Sequence, residues 1–144
     1  MSHFTEIALQ IKDIEAIKLA FAELYSIPVD AWQYTDKPVV LKGWGNKHFK
    51  ANLVLPLANY QDSKIMSQSA SYTHNDLGFV KSGDGYNFII TDENRGWWQS
   101  QEAVIMERIG VITAERKLTT MGARFERQTL PNGRLQVKAT LYRH

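Results

Sequence analysis

The sequence predicts an α+β fold, a two-layer sandwich with a mainly antiparallel sheet and two helices on one face. Three observations carry that expectation. The chain has 144 residues, a single-domain length where domains run about 100–200 residues. Two segments space apolar residues at helical intervals: Ile14, Ile17, Phe21 and Leu24 in one, and Trp98, Ile105, Ile109 and Ile112 in the other. The other apolar residues fall in short runs separated by glycine-bearing turns, the mark of strands and hairpins.

Composition sets the outer bounds. Hydrophobic residues make up 44%, aromatic 11% and charged 22%, which sets aside collagen-like, low-complexity and wholly disordered classes. There are no cysteines, hence no disulfide framework, thiolate metal site or catalytic thiol. No apolar run approaches the roughly 18 residues of a membrane-spanning helix. The opening residues Met1-Ser2-His3-Phe4-Thr5-Glu6 have neither the basic start nor the apolar centre of a signal peptide, so a cytoplasmic location is expected.

Taken in order, residues 4–11 alternate, with Ile7, Leu9 and Ile11 on one side, as in a strand with one buried face. Asp13 is a good N-cap for the first helix, and Pro28 cannot continue it. Residues 29–38 are expected to be irregular. Val39-Val40-Leu41 and the 51–55 run are expected as strands, joined by the basic turn 42–50. Residues 57–76 are polar, with a Ser/Gln-rich centre, and are expected as a long loop; loops of that length in a compact domain are usually functional or disordered. Residues 77–91 form a hairpin about Ser82-Gly83-Asp84-Gly85, and a helix is expected over 97–121. Gly122 follows as its C′ residue. A final hairpin turns at Pro131-Asn132-Gly133 and places Leu135, Val137, Ala139 and Leu141 on one face. The order β-α-β-β-loop-β-β-α-β-β is consistent with a ferredoxin-like sandwich with extra strands.

Charge divides along the chain. Residues 1–94 carry eight Lys and Arg against eleven Asp and Glu, a net of −3; residues 95–144 carry nine against four, a net of +5 and all seven arginines. Arginine suits bidentate carboxylate or phosphate contacts, so this half is either an anion-facing surface or a solvated face that pairs with the acidic half.

Catalytic signatures are lacking. The four histidines, His3, His48, His74 and His144, stand far apart without ligand spacing, and neither a metal nor a cofactor is expected. Asp92 and Glu93 beside Arg95 are better explained by a helix start, where carboxylates face the positive dipole end. Binding signatures are stronger. The 42–50 turn combines Lys42, Lys47, His48 and Lys50 with Trp44 and two glycines: amides and lysines for an anion, and an indole plane for stacking. The alternative is a solvated hairpin tip with its tryptophan folded inward. Trp97 and Trp98 are adjacent, so one of them is expected near the surface as an interface anchor, with Arg95 close by; the alternative is that both pack. In the last strand, Arg134, Gln136, Lys138, Thr140 and Tyr142 alternate with the apolar set. That pattern suits a base-stacking sheet face, a dimer face or plain solvation.

Ser2-His3-Phe4-Thr5-Glu6-Ile7 followed by Gln10-Ile11-Lys12-Asp13 and an amphipathic helix resembles the hypothetical chloroplast open reading frame 35 family. Its members are small proteins of cyanobacteria, red-algal plastids and tailed phages. The likeness extends through Asp76-Leu77-Gly78-Phe79, Asp84-Gly85-Tyr86, the second helix and Asn132-Gly133-Arg134-Leu135. The family carries no established activity, so the resemblance implies only a phage or photosynthetic-lineage setting, in host cytoplasm or plastid stroma.

The leading functional expectation is a non-enzymatic module for an anionic ligand, a nucleotide-like small molecule or nucleic acid. It would bind through Lys42, Trp44, Lys47, His48 and Lys50, with Arg95. The second is a protein–protein adaptor acting on a host protein through Trp97, Trp98 and the 57–76 loop, and the third an enzyme without a recognisable motif. A homodimer is also an open expectation.

Overall fold

The computed structural model describes residues 4–42, 49–63, 65 and 75–140. Strand β1 (Phe4–Ile11) leads into helix α1 (Ile14–Tyr25), followed by strands β2 (Gln33–Val40), β3 (Lys50–Leu55), β4 (Leu77–Ser82) and β5 (Gly85–Thr91). Helix α2 (Asp92–Thr120) and the hairpin β6 (Arg124–Thr129) and β7 (Leu135–Thr140) complete the order. Five strands form one sheet in the order β1-β5-β4-β3-β2, with every pairing antiparallel, and β6–β7 is a separate two-stranded sheet.

The α+β architecture is as expected, with a different strand order. A ferredoxin-like sheet places parallel strands side by side, whereas here β2 to β5 form a meander and α1 carries the chain from one edge strand to the other. The final hairpin is not an extension of that sheet. Its Arg127 binds Glu115 on α2 and Glu23 on α1, each at 2.6 Å, and Arg134 lies 3.5 Å from Glu107 on α2. Arg134, Gln136 and Lys138 are exposed on this small hairpin and do not form a face of the main sheet.

Asp13 caps α1 as expected, its Oδ1 accepting the amides of Glu15 at 3.0 Å and Ala16 at 3.3 Å. The helix buries Ala16, Ile17, Ala20, Phe21 and Tyr25 and ends two residues before Pro28 is reached, at Ser26, whose φ of 58° is left-handed. Helix α2 runs antiparallel to α1: Asp13 at the start of α1 meets Arg116 late in α2, while the Tyr25 hydroxyl donates to Gln101 Oε1 at 2.9 Å. It begins five residues earlier than its apolar stripe indicates, with Asp92 and Glu93 as its first residues. Trp97, Trp98, Ile105, Ile109 and Ile112 from this helix join Leu53, Leu55, Phe79, Phe88 and Ile90 from the sheet in one core cluster.

The segment expected to be irregular, 29–38, is largely strand β2, and every residue of that strand is exposed. Apolar alternation is therefore missing at an edge strand that buries nothing, and the pattern misleads. Between Tyr34↔Leu53 and Val39↔Ala51 the register shifts by three residues. Buried Asn52 absorbs the irregularity: its Nδ2 donates to the carbonyls of Thr35 at 3.1 Å and Asp36 at 3.0 Å, and its Oδ1 accepts the Lys81 amide at 2.9 Å. Near this bulge Leu41, Ala51, Val54 and Ile89 form a small cluster apart from the main core. Gly78 permits the close approach, since a Cβ there would lie 2.7 Å from Ala51 Cβ and 2.9 Å from Leu41 Cδ2.

The 57–76 segment is not simply a loop. Leu57–Asn59 is a 3-10 turn, and Tyr60 and Ile65 are fully buried. The Tyr60 hydroxyl donates to the Asn75 carbonyl, and Asp76 accepts the amides of Leu57 and Lys42, each at 3.1 Å. Residues 64 and 66–74 of this segment lie outside the described residues.

Candidate ligand-binding groove

The sequence-derived candidates divide three ways. Trp44, Lys47 and His48 lie outside the described residues, while Lys42 and Lys50 are exposed at the two sides of the turn's base. Lys42 is tied by its main chain to Asp76, which accepts its amide at 3.1 Å and donates its own amide to the Lys42 carbonyl at 2.9 Å. The neighbouring Asn75 donates to Thr91 Oγ1 at 3.3 Å, immediately before α2. The base of the basic turn and the start of α2, where Arg95 is exposed, thus share one end of the fold.

The tryptophan pair corrects an expectation. Trp97 and Trp98 are both buried, at 3% and 2% exposure. Trp98 packs on Phe88 with ring centroids 4.5 Å apart, and Trp97 on Tyr25 at 5.7 Å. Neighbouring helical residues lie only about 100° apart around the axis, and the helix sits where sheet and α1 meet, so each indole finds its own wall. Neither is a surface anchor.

A large concavity lies elsewhere, where the end of β1 and the start of α1 meet the second half of α2. It encloses about 1070 Å³, in the range of small-molecule sites. Leu9, Ile11, Ile14, Met106 and Ile109 supply its apolar surface, Tyr86 stands at one wall, and Lys12, Arg116 and Lys117 bring positive charge.

Its electrostatics follow from how each charge is committed. Lys12 binds Asp84 at 3.0 Å, holding that carboxyl below its ordinary pKa. Glu15 binds Lys18 at 3.2 Å. Asp13 is doubly employed: one oxygen caps α1, and the other accepts Arg116 Nε at 2.7 Å. Among the described residues no ion pair forms at Lys117 or at the terminal nitrogens of Arg116. Thr113 and Thr120, also on the lining, donate their hydroxyl protons to carbonyls of their own helix, at 2.7 Å and 3.0 Å. The anion donors left in the groove are therefore Arg116 and Lys117. Burial, reinforced by Tyr34 and Asp36, pushes the Tyr86 phenol up to about 12, so it stays protonated at neutral pH.

Among the described residues no group of three or more His, Asp or Glu side chains is placed to hold a metal ion. No helix among them is long and apolar enough to cross a membrane. No protein-family model, curated protein or solved structure matches the chain.

Sequence patterning missed this groove because its two main walls, 9–15 and 106–120, are more than 90 residues apart. Two local signals were present. Asp13 was legible as a cap, and Gly110 interrupts the middle of a helical stripe, where glycine is disfavoured.

Proposed function

We propose that this protein is a non-enzymatic binding module for an anionic ligand, with the groove between β1, α1 and α2 as its principal site. One observation carries the reading: among the described residues, Lys117 and the terminal nitrogens of Arg116 are uncommitted beside an apolar surface. Cationic donors next to apolar walls suit a ligand with an anionic head and a less polar body, as in a nucleotide-like molecule. The basic turn, with Lys42, Lys47 and Lys50, is the rival site for the same chemistry.

Thermal unfolding in the presence of adenosine monophosphate, inorganic phosphate or a single-stranded oligonucleotide tests the reading. At least one of these anions raises Tm at low salt, by less at high salt. The shift disappears in the Lys12→Gln/Arg116→Gln/Lys117→Gln variant and persists in Lys42→Gln/Lys47→Gln/Lys50→Gln. The reverse pattern moves the site to the turn, and no shift with any anion rejects the function.

A second reading, a protein–protein adaptor, is favoured by β2. This edge strand exposes Tyr34, Val39 and Val40 at 39%, 43% and 46%, and exposed edges invite partners. The resemblance of the opening motif to a family with phage members supports a host protein as that partner. Partner capture that resists high salt and is lost in Val39→Asp would establish it.

A further inference from the structure

We propose that the groove's ligand is a phosphomonoester with an apolar body, its phosphate on the terminal nitrogens of Arg116 and its body over Gly110. This rests on the anion-binding reading above and specifies its chemistry. Asp13 is the positioning residue. Its Oδ1 is engaged by the α1 amides and its Oδ2 by Arg116 Nε, so neither oxygen faces an incoming anion uncompensated. Guanidinium is planar, and fixing Nε fixes the plane; the two terminal nitrogens then form a preset fork that matches two oxygens of one anion. Lys117 lines the same groove as a second cation with no ion pair among the described residues. A phosphomonoester, close to doubly ionised at neutral pH, matches two cations better than a carboxylate does.

Gly110 supplies an independent observation. It lies in the interior of the 29-residue α2 and lines the groove. Glycine is the least favoured residue of a helix interior apart from proline, so a packing neighbour would ordinarily account for it. Here a Cβ at Gly110 would meet nothing within 4 Å among the described residues, its chain neighbours and the backbone of its own helix aside. No part of the described protein requires the missing side chain, whereas a ligand lying along the helix backbone would. The walls beside it, Met106, Ile109 and Ile11, are apolar, which suits the body of the ligand rather than its head.

Isothermal titration at low salt with naphthyl phosphate, inorganic phosphate and naphthol separates head from body. Naphthyl phosphate binds the native protein about tenfold or more tighter than either of the others, the gain expected when a charge-assisted contact and apolar burial act together. Arg116→Gln lowers its affinity about tenfold and leaves naphthol unchanged. Gly110→Leu lowers both aromatic ligands and leaves inorganic phosphate unchanged; should it misfold by circular dichroism, Gly110→Ala gives the same pattern more weakly. Asp13→Asn retains a good cap but releases Arg116, weakening the phosphate-bearing ligands while sparing naphthol. Naphthyl phosphate binding that is unaltered by both Arg116→Gln and Gly110→Leu overturns this inference and leaves the anion-binding function standing at another site. Failure of naphthyl phosphate to bind while adenosine monophosphate or the oligonucleotide still raises Tm does the same. Failure of every anion overturns both.

Discussion

The two outer pairings of the sheet use the same device for different ends. Each contains a register shift, and at each a buried asparagine bonds main-chain groups beside the irregularity. At the β2–β3 pairing Asn52 makes three hydrogen bonds, all to main chain, and Leu41 and Ala51 nearby close over Gly78. At the β1–β5 pairing, between Ile7↔Phe88 and Ile11↔Tyr86, Asn87 accepts one amide, from Leu9 at 3.3 Å, and donates to the Glu6 carboxylate at 2.7 Å. Leu9, Ile11 and Tyr86, at and beside the irregularity, line the groove. One bulge closes a face and the other leaves a cleft, which fits the tendency of bulges to re-aim side chains near sites.

If that contrast is right, substitutions at the two asparagines differ in both size and kind. Asn52→Ala leaves two carbonyls and an amide without their partner and costs about 3 kcal/mol of stability, read as a fall in the denaturant midpoint. Ligand affinity in the folded fraction is unchanged. Asn87→Ala costs about 1 kcal/mol but weakens naphthyl phosphate binding, because the wall carrying Leu9 loses its tether. Equal stability losses, or an affinity loss in Asn52→Ala, would break the comparison.

A third region serves as a control, since it belongs to neither bulge. Arg127 ties the final hairpin to both helices, and hydrogen bonding from it holds the Glu23 carboxyl below its ordinary 4.5. A lowered folded-state pKa means the contribution is complete above about pH 4.5 and is lost as pH falls through the folded value. Glu23→Gln therefore costs about 1 kcal/mol or less at neutral pH and flattens the acid limb of stability below 4.5. Hydrogen exchange in β6 and β7 rises, with no change in exchange around Asn52 or Asn87.

The smallest effect sharpens the groove side. Gly110→Ala stabilises the protein by about 0.5–1 kcal/mol, the usual gain from replacing a helix-interior glycine where space allows. It does so while weakening naphthyl phosphate, a trade between stability and binding that no residue near Asn52 shows.

The sequence made some of this legible and hid the rest for physical reasons. The α+β class, both helices, the Asp13 cap and the two glycine turns were readable because each follows from spacing within a few residues. Strand β2 was not, because an exposed edge carries no apolar period, and the strand order was not, because Asn52 and Asn87 act on partners up to 81 residues away. The tryptophan pair shows the limit of exposure arguments. Adjacency fixed the angle between Trp97 and Trp98, but Tyr25 and Phe88, which receive them, come from α1 and β5. The arginine-rich second half pointed toward anions, yet only the fold shows Arg127 consumed by Glu23 and Glu115 and, among the described residues, Arg116 left with its terminal nitrogens uncommitted.

An amide nitrogen–proton NMR titration of the native chain with naphthyl phosphate locates the ligand directly. The predicted result is a contiguous set of shifted resonances at Leu9, Lys12, Gly110, Arg116 and Lys117, saturating together. Shifts confined to Lys42, Lys50 and Arg95, or none at saturating ligand, would contradict it.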